Sequence, residues 1–226
     1  MRGSRIVRWA ALGCAAAAAV ALAQVQTKDS QAAITPAAAL ARLKEGNARF
    51  VSGQSKTRDW SAKVIATASG QYPFAAVVSC MDSRAPGEIV LDQGIGDMFS
   101  LRSAGNVVDT DVLGGLEYAT KVVGVKLVVV LGHTECGAVK GAIDGVKLGN
   151  LTALLAKIQS AVRDSGPGTS KDKAYVTKVA ERNVRDSIHE IRERSSILRD
   201  LIDSGQVGIA GAMYDVATGT VTFMAD

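Results

Sequence analysis

Two short stretches carry the side chains able to do chemistry: Cys80, Asp82 and Arg84 alternate in the first, and His133 and Cys136 stand three apart in the second. Thiolate sulfur and imidazole nitrogen are ligands that zinc takes in tetrahedral geometry, and a Cys-Cys-His set fills three of its four positions. A structural site would need a fourth soft ligand. The supply is exhausted, because Cys14 lies in the N-terminal leader and His189 in a charged stretch. The fourth position therefore falls to water or to the nearest carboxylate, Asp82. A metal with an open position makes water acidic enough to act as a nucleophile near neutral pH. Two thiolates offset the metal's charge, so the expected water is less acidic than at an all-histidine site and the rate rises toward alkaline pH.

Asp82 and Arg84 face the same side of an extended segment, where the guanidinium can hold the carboxylate in a two-bonded pair. Held by Arg84, Asp82 is expected to accept the hydroxide's proton in a hydrogen bond and aim its lone pair at a substrate. On the metal, Asp82 would close the site. Three blander readings compete: an ordinary surface ion pair, a non-catalytic zinc-binding module, and a thiol redox protein with a Cys80 to Cys136 disulfide. The disulfide needs neither His133 nor Asp82, and metal analysis with a free-thiol count separates it from a metal site.

The elements that must position these residues are legible from periodicity. Each stretch follows an apolar run, 74–79 and 126–132, of the kind that makes a buried strand. In open α/β sheets ligands bind beyond the carboxyl ends of strands, so two neighbouring strands would bring Cys80, His133 and Cys136 together. The expected fold class is α/β: a central, mostly parallel sheet of about five strands with an antiparallel edge, flanked by helices. Thr35 and Pro36 start a helix whose apolar stripe, Leu40, Leu43 and Phe50, is broken by Asn47. Further helices are expected over 61–69, from Asp109 through Lys121, and over 150–164. A strand is expected over 98–102, and after Cys136 the small residues from Gly137 look like a tight helix start whose backbone N–H groups can point at the site. Residues 171–203 read as one long charged helix or a pair, with Glu181 and Arg185, and Glu190 and Arg194, spaced as favourable ion pairs. Strands over 207–215 and 221–224, joined at Thr218-Gly219, form a hairpin.

Of the 226 residues, the first 23 read as a secretory signal peptide: Arg2, Arg5 and Arg8, an apolar run over 9–21, then Ala21-Leu22-Ala23. The run is shorter than the ~20 residues a membrane span needs, so no stable membrane insertion is expected after cleavage. A lipoprotein signal ending at Cys14 would have too short an apolar core before it. Residues 24–34 read as a linker and 35–226 as one catalytic zinc domain, periplasmic or secreted. The formal net charge of +4 owes much to the leader's three arginines. Without them the chain is near neutral and has no basic tract with interleaved aromatics, so nucleic acid is not an expected partner.

The Cys80-x-Asp82-x-Arg84 and His133-x-x-Cys136 motifs, each ending an apolar strand, resemble those of the β-class carbonic anhydrases, over roughly residues 35–226. The stretch 126–139 looks like that family's second signature almost unchanged. The resemblance implies reversible hydration of carbon dioxide to bicarbonate and a proton by attack of zinc-bound hydroxide. It implies one Zn2+ per subunit on Cys80, His133 and Cys136, an Asp82 and Arg84 dyad governing access, and a homodimer or tetramer. It also suggests Gln93, Tyr118 and Gly137 as substrate-binding positions and places Arg102 near the site or interface. Relatives inhibited by bicarbonate at a second site carry tryptophan three residues before the first cysteine. Here that position is Val77, so no such pocket is expected, and the site should rest open near neutral pH. Enzymes hydrolysing carbon disulfide or carbonyl sulfide look alike in scaffold and are the alternative reading.

Overall fold

The computed structural model describes residues 25–224. Its organising element is a five-stranded sheet in the order β2-β1-β3-β4-β5, with β1 at Ala75–Ser79, β2 at Met98–Arg102, β3 at Leu127–His133, β4 at Gly208–Tyr214 and β5 at Val221–Phe223. The first four strands run parallel and β5 closes one edge antiparallel to β4. Every residue of β1 and β3 is buried, as their continuous β-branched runs require of strands covered on both faces.

Two apolar layers flank the sheet. One packs Ala76, Val78, Val128 and Val130 against Leu116, Val139, Ile158, Val176 and Val184. These come from α5 (Thr110–Glu117), α6 (Gly137–Ile143), the turn before α8 (Gln159–Asp164), and α9 (Lys173–Arg194). The other packs Ala75, Val77, Leu127, Val129 and Leu131 against Ala39, Leu43, Val90 and Leu91, from α2 (Pro36–Val51) and the single turn α4 (Gly87–Val90) with its C-cap. Helices α1 (Lys28–Ala33), α3 (Trp60–Thr67), α7 (Gly149–Ala156) and α10 (Ser196–Asp203) complete the fold. No helix among the described residues is long and apolar enough to cross a membrane.

Several expectations are corrected here. The linker over 24–34 contains α1, held by a capping box at Thr27 and by Gln31, whose buried amide donates to the Pro73 carbonyl at 2.7 Å. The α2 stripe is not weakened at Asn47: its Nδ2 donates to the carbonyls of Val90 and Gly219, and its Oδ1 accepts from Val221 N–H. A buried amide with those partners ties α2 to α4 and the β4–β5 hairpin. The helix expected over 150–164 is two, α7 and α8, and α5 loosens into π-helical geometry over Tyr118–Val123. On α9 the ion pair at Glu190 and Arg194 forms, but Glu181 and Arg185 do not pair; Arg182 bonds Asp186 instead at 2.6 Å. His189 is exposed on α9. The signal-peptide expectation over 1–23 lies outside the described residues.

Candidate metal centre

Cys80 follows the last residue of β1, His133 is the last of β3, and Cys136 is the N-cap residue of α6. Because β1 and β3 are adjacent and parallel, their C-terminal ends deliver the three side chains to one place. Their ligand atoms lie within 4.8 Å of one another, and all three residues are buried. The sulfurs of Cys80 and Cys136 are 4.0 Å apart and both cysteines are free. Two thiolates on one tetrahedral zinc stand roughly 3.8 Å apart, so this pair fits a shared metal.

His133 supplies the deciding orientation. Its Nδ1 lies 2.8 Å from the Thr134 carbonyl, which makes Nδ1 the protonated nitrogen and leaves Nε2 as a bare acceptor. Nε2 is buried and has no hydrogen-bond partner among the described residues. A buried, unpartnered nitrogen facing two thiols is costly unless something binds it, and a zinc ion satisfies all three donors at once. Burial works against a charged His133 ring, yet the neighbouring Cys80 sulfur outweighs it and raises the ring's pKa. Cys80 is pushed down to about 4 by hydrogen bonding from Cys136, helped by His133 and the backbone N–H groups of Gly105 and Asp82. Cys136 moves up because Cys80 and burial both disfavour a second thiolate, although the N–H groups of Val139 and Ala138 favour it. The pair thus favours one negative sulfur, at Cys80, and metal binding would require the second thiol to lose its proton as well.

Asp82 borders the same space, with Oδ2 3.8 Å from His133 Nε2. Arg84 grips it: Nε to Oδ1 at 3.0 Å, Nη2 to Oδ2 at 2.8 Å, and the Arg84 backbone N–H to Oδ1 at 2.9 Å. That fork holds the Asp82 carboxyl well below the usual carboxylate range. Arg102 of β2 contributes a role that its sequence position alone does not show: Nε donates to the Cys80 carbonyl at 3.1 Å and Nη2 to the Asp82 carbonyl at 2.7 Å. It pins the backbone of the ligand and of the dyad together.

A family model described as carbonic anhydrase matches residues 75–221. The chain belongs to the carbonic anhydrase family. It is 39% identical over 189 residues to carbonic anhydrase 2 of Mycobacterium tuberculosis, covering 81% of this chain and 90% of that relative, and 36% identical to the carbonic anhydrase of Mycolicibacterium smegmatis, covering 82% and 92%. Among solved structures it resembles the β-carbonic anhydrase CafA of Aspergillus fumigatus, at TM-score 0.66 and 27% identity, covering 84% of this chain and 91% of that one. It also resembles tetrameric β-carbonic anhydrases of Sordaria macrospora, at TM-score 0.65 and 26% identity, covering 74% and 91%.

Within this carbonic anhydrase chain the remaining site expectations fall in different places. Gly137 opens α6 directly behind Cys136. Gln93 is buried and donates to the Leu91 carbonyl at 2.6 Å; it lines a cavity of about 490 Å3 with Arg58, Trp60, Glu88 and Ile95, to which none of the three ligands contributes. Tyr118 is half-exposed and packs its ring 6.1 Å from that of Phe99. The contacts described thus join the triad and the dyad, with Gly137 next in the chain, while those of Gln93 and Tyr118 are to Leu91 and Phe99.

Proposed function

We propose that this enzyme catalyses the zinc-dependent, reversible hydration of carbon dioxide to bicarbonate and a proton, with one zinc per subunit on Cys80, His133 and Cys136. The observation that carries the reading is the unpartnered His133 Nε2 facing two free sulfurs while Asp82 is held aside by Arg84. Zinc bound there supplies an acidified water able to attack an electrophilic carbon. The chain's own residues do the rest. Asp82, kept ionised by Arg84, accepts a hydrogen bond at Oδ2 and so orients the incoming nucleophile. Arg84 keeps that carboxylate off the metal position, and the buried walls of β1 and β3 keep bulk water away.

We further assign the active form as a homodimer or tetramer and its place as periplasmic or secreted. In support of assembly, Ile65, Val122, Met81, Ile89 and Val64 are all more than half exposed in the single chain, and relatives from Sordaria macrospora are tetrameric. The basic and apolar leader before Gln24 supports export, checked by N-terminal sequencing of periplasmic protein.

The test pairs metal content of the protein as purified with hydration assays offering carbon dioxide, carbonyl sulfide and carbon disulfide. One zinc per chain and carbon dioxide hydration that rises toward alkaline pH are expected. Hydrolysis of the sulfur compounds without carbon dioxide hydration, or a rate flat from mildly acid to alkaline pH, would overturn the reading.

A further inference from the structure

The long charged helix α9 carries two buried polar side chains on its inner face, Asn183 and Ser187. Neither is explained by the zinc ligands or by the dyad. Both reach across to the turn at Ala104–Asn106. Asn183 Nδ2 donates to the Gly105 carbonyl at 2.8 Å. Ser187 Oγ donates to the Asn106 carbonyl at 3.3 Å and lies 3.4 Å from the Asn106 amide nitrogen. On its other side the turn meets the metal centre, where Gly105 N–H donates to the Cys80 sulfur at 3.3 Å.

The turn needs such support. Gly105 and Asn106 both have positive φ, 68° and 47°, and a non-glycine residue in that region persists where surrounding contacts over-determine it. A side chain at Gly105 would be strained at that φ and would require Ile158 Cδ1, 2.6 Å from its Cβ, to move aside. The Gly105 N–H and carbonyl belong to adjacent peptide planes joined through its φ and ψ, so the bonds from Asn183 and Ser187 hold the turn from one side while its N–H meets Cys80 on the other. Hydrogen bonds to metal-bound sulfur withdraw electron density from it and tune the metal.

We infer that Asn183, seconded by Ser187, is a positioning residue that aims the Gly105 N–H at the Cys80 sulfur and thereby sets the donor strength of that thiolate toward the metal. The inference rests on the zinc reading above and extends it to a helix that contributes none of the three ligands. Asn183 touches neither metal nor substrate; it acts through the turn.

Cobalt(II)-substituted protein tests this, since sulfur-to-cobalt charge-transfer absorption reads thiolate donor strength directly. In Asn183→Ala the band moves to lower energy and zinc affinity, by chelator competition, falls about tenfold. Val184→Ala, which opens a cavity beside Asn183 against Gly132 of β3 but removes no hydrogen bond to the turn, lowers the melting temperature without moving the band. If Asn183→Ala fails to fold, Ser187→Ala carries the test, with a smaller shift in the same direction. An unmoved band in the folded variant, an equal shift in Val184→Ala, or wild-type protein that takes up no metal through sulfur overturns the inference. Wild-type protein with the expected spectra but no carbon dioxide hydration would overturn the proposed function and leave this inference standing.

Discussion

At the scale of single residues, Asp82 and Cys80 are both held toward their anionic forms, whereas Cys136 is pushed the other way. Arg84 fixes Asp82 as an anion far below its ordinary range, so a rise in rate between neutral and alkaline pH is not Asp82 losing its proton. The Arg84 fork also has a geometric part that charge alone does not supply. Arg84→Lys keeps the charge and loses one of two parallel bonds. Because the guanidinium is half exposed, the loss is worth about 1 kcal/mol, and steady-state assays should show kcat/KM lower by about fivefold with zinc content unchanged. An unaltered rate in Arg84→Lys would mean that the pair is an ordinary surface bridge.

At the scale of elements, the segments carrying the site are braced by polar groups that face inward. Asp92, at the end of α4, is almost wholly buried and takes Arg58 at 2.5 Å, Arg49 at 2.6 Å and the Lys56 backbone N–H at 3.2 Å. Burial pushes its carboxyl up, but those donors outweigh it and hold the pKa below the ordinary value. A depressed carboxyl contributes stability that is present above its unfolded pKa, near 4, and is lost as pH falls toward the folded value. Asp92→Asn tolerates the positive φ of 48° but takes from Arg49 and Arg58 the carboxylate charge they share. Urea unfolding at pH 7 should show it less stable by about 3–5 kcal/mol, with a shallower loss of stability than wild type between roughly pH 5 and 3. Equal acid sensitivity in both proteins would remove Asp92 from that account. Close approach matters as much as charge: a Cβ on Gly46 of α2 would lie 1.9 Å from the Leu91 carbonyl oxygen, so α2 can rest against the end of α4 only because that position has no side chain.

For the whole molecule, one sheet edge collects the chemistry, while exposed apolar side chains elsewhere on the single chain remain in water. In the proposed assembly a second copy covers part of this exposed apolar surface. Light scattering on the purified protein should give at least a dimer. Ile65→Glu, placing a charge on a side chain that is 77% exposed and adds nothing to the chain's own core, should shift the population toward monomer while the circular dichroism spectrum is retained. Wild-type protein that is monomeric at assay concentrations would sink the proposed assembly.

The clustering of Cys80, His133 and Cys136, the Asp82 and Arg84 ion pair and the mostly parallel sheet were readable from sequence because each depends on local grammar: soft side chains at fixed spacing, an alternating Asp and Arg, and apolar runs with short flanking turns. Hairpin and helix positions followed from the same short-range periodicity, although α1 was missed because its six residues are stabilised by a cap and one long-range amide bond rather than by an apolar face. What only the tertiary structure decided are contacts between residues far apart in the chain. Asn47 looked like a flaw in a stripe until its partners at Val90, Gly219 and Val221 were in place. Asn183, within a stretch read as charged helix, shows its part only when α9 lies beside Gly105. Arg102 shows its work only when β2 lies beside β1 and presents the guanidinium to two carbonyls. Periodicity records which face of an element is apolar, but not which buried carbonyl a polar group on that face will satisfy, because that pairing exists only once the elements have packed.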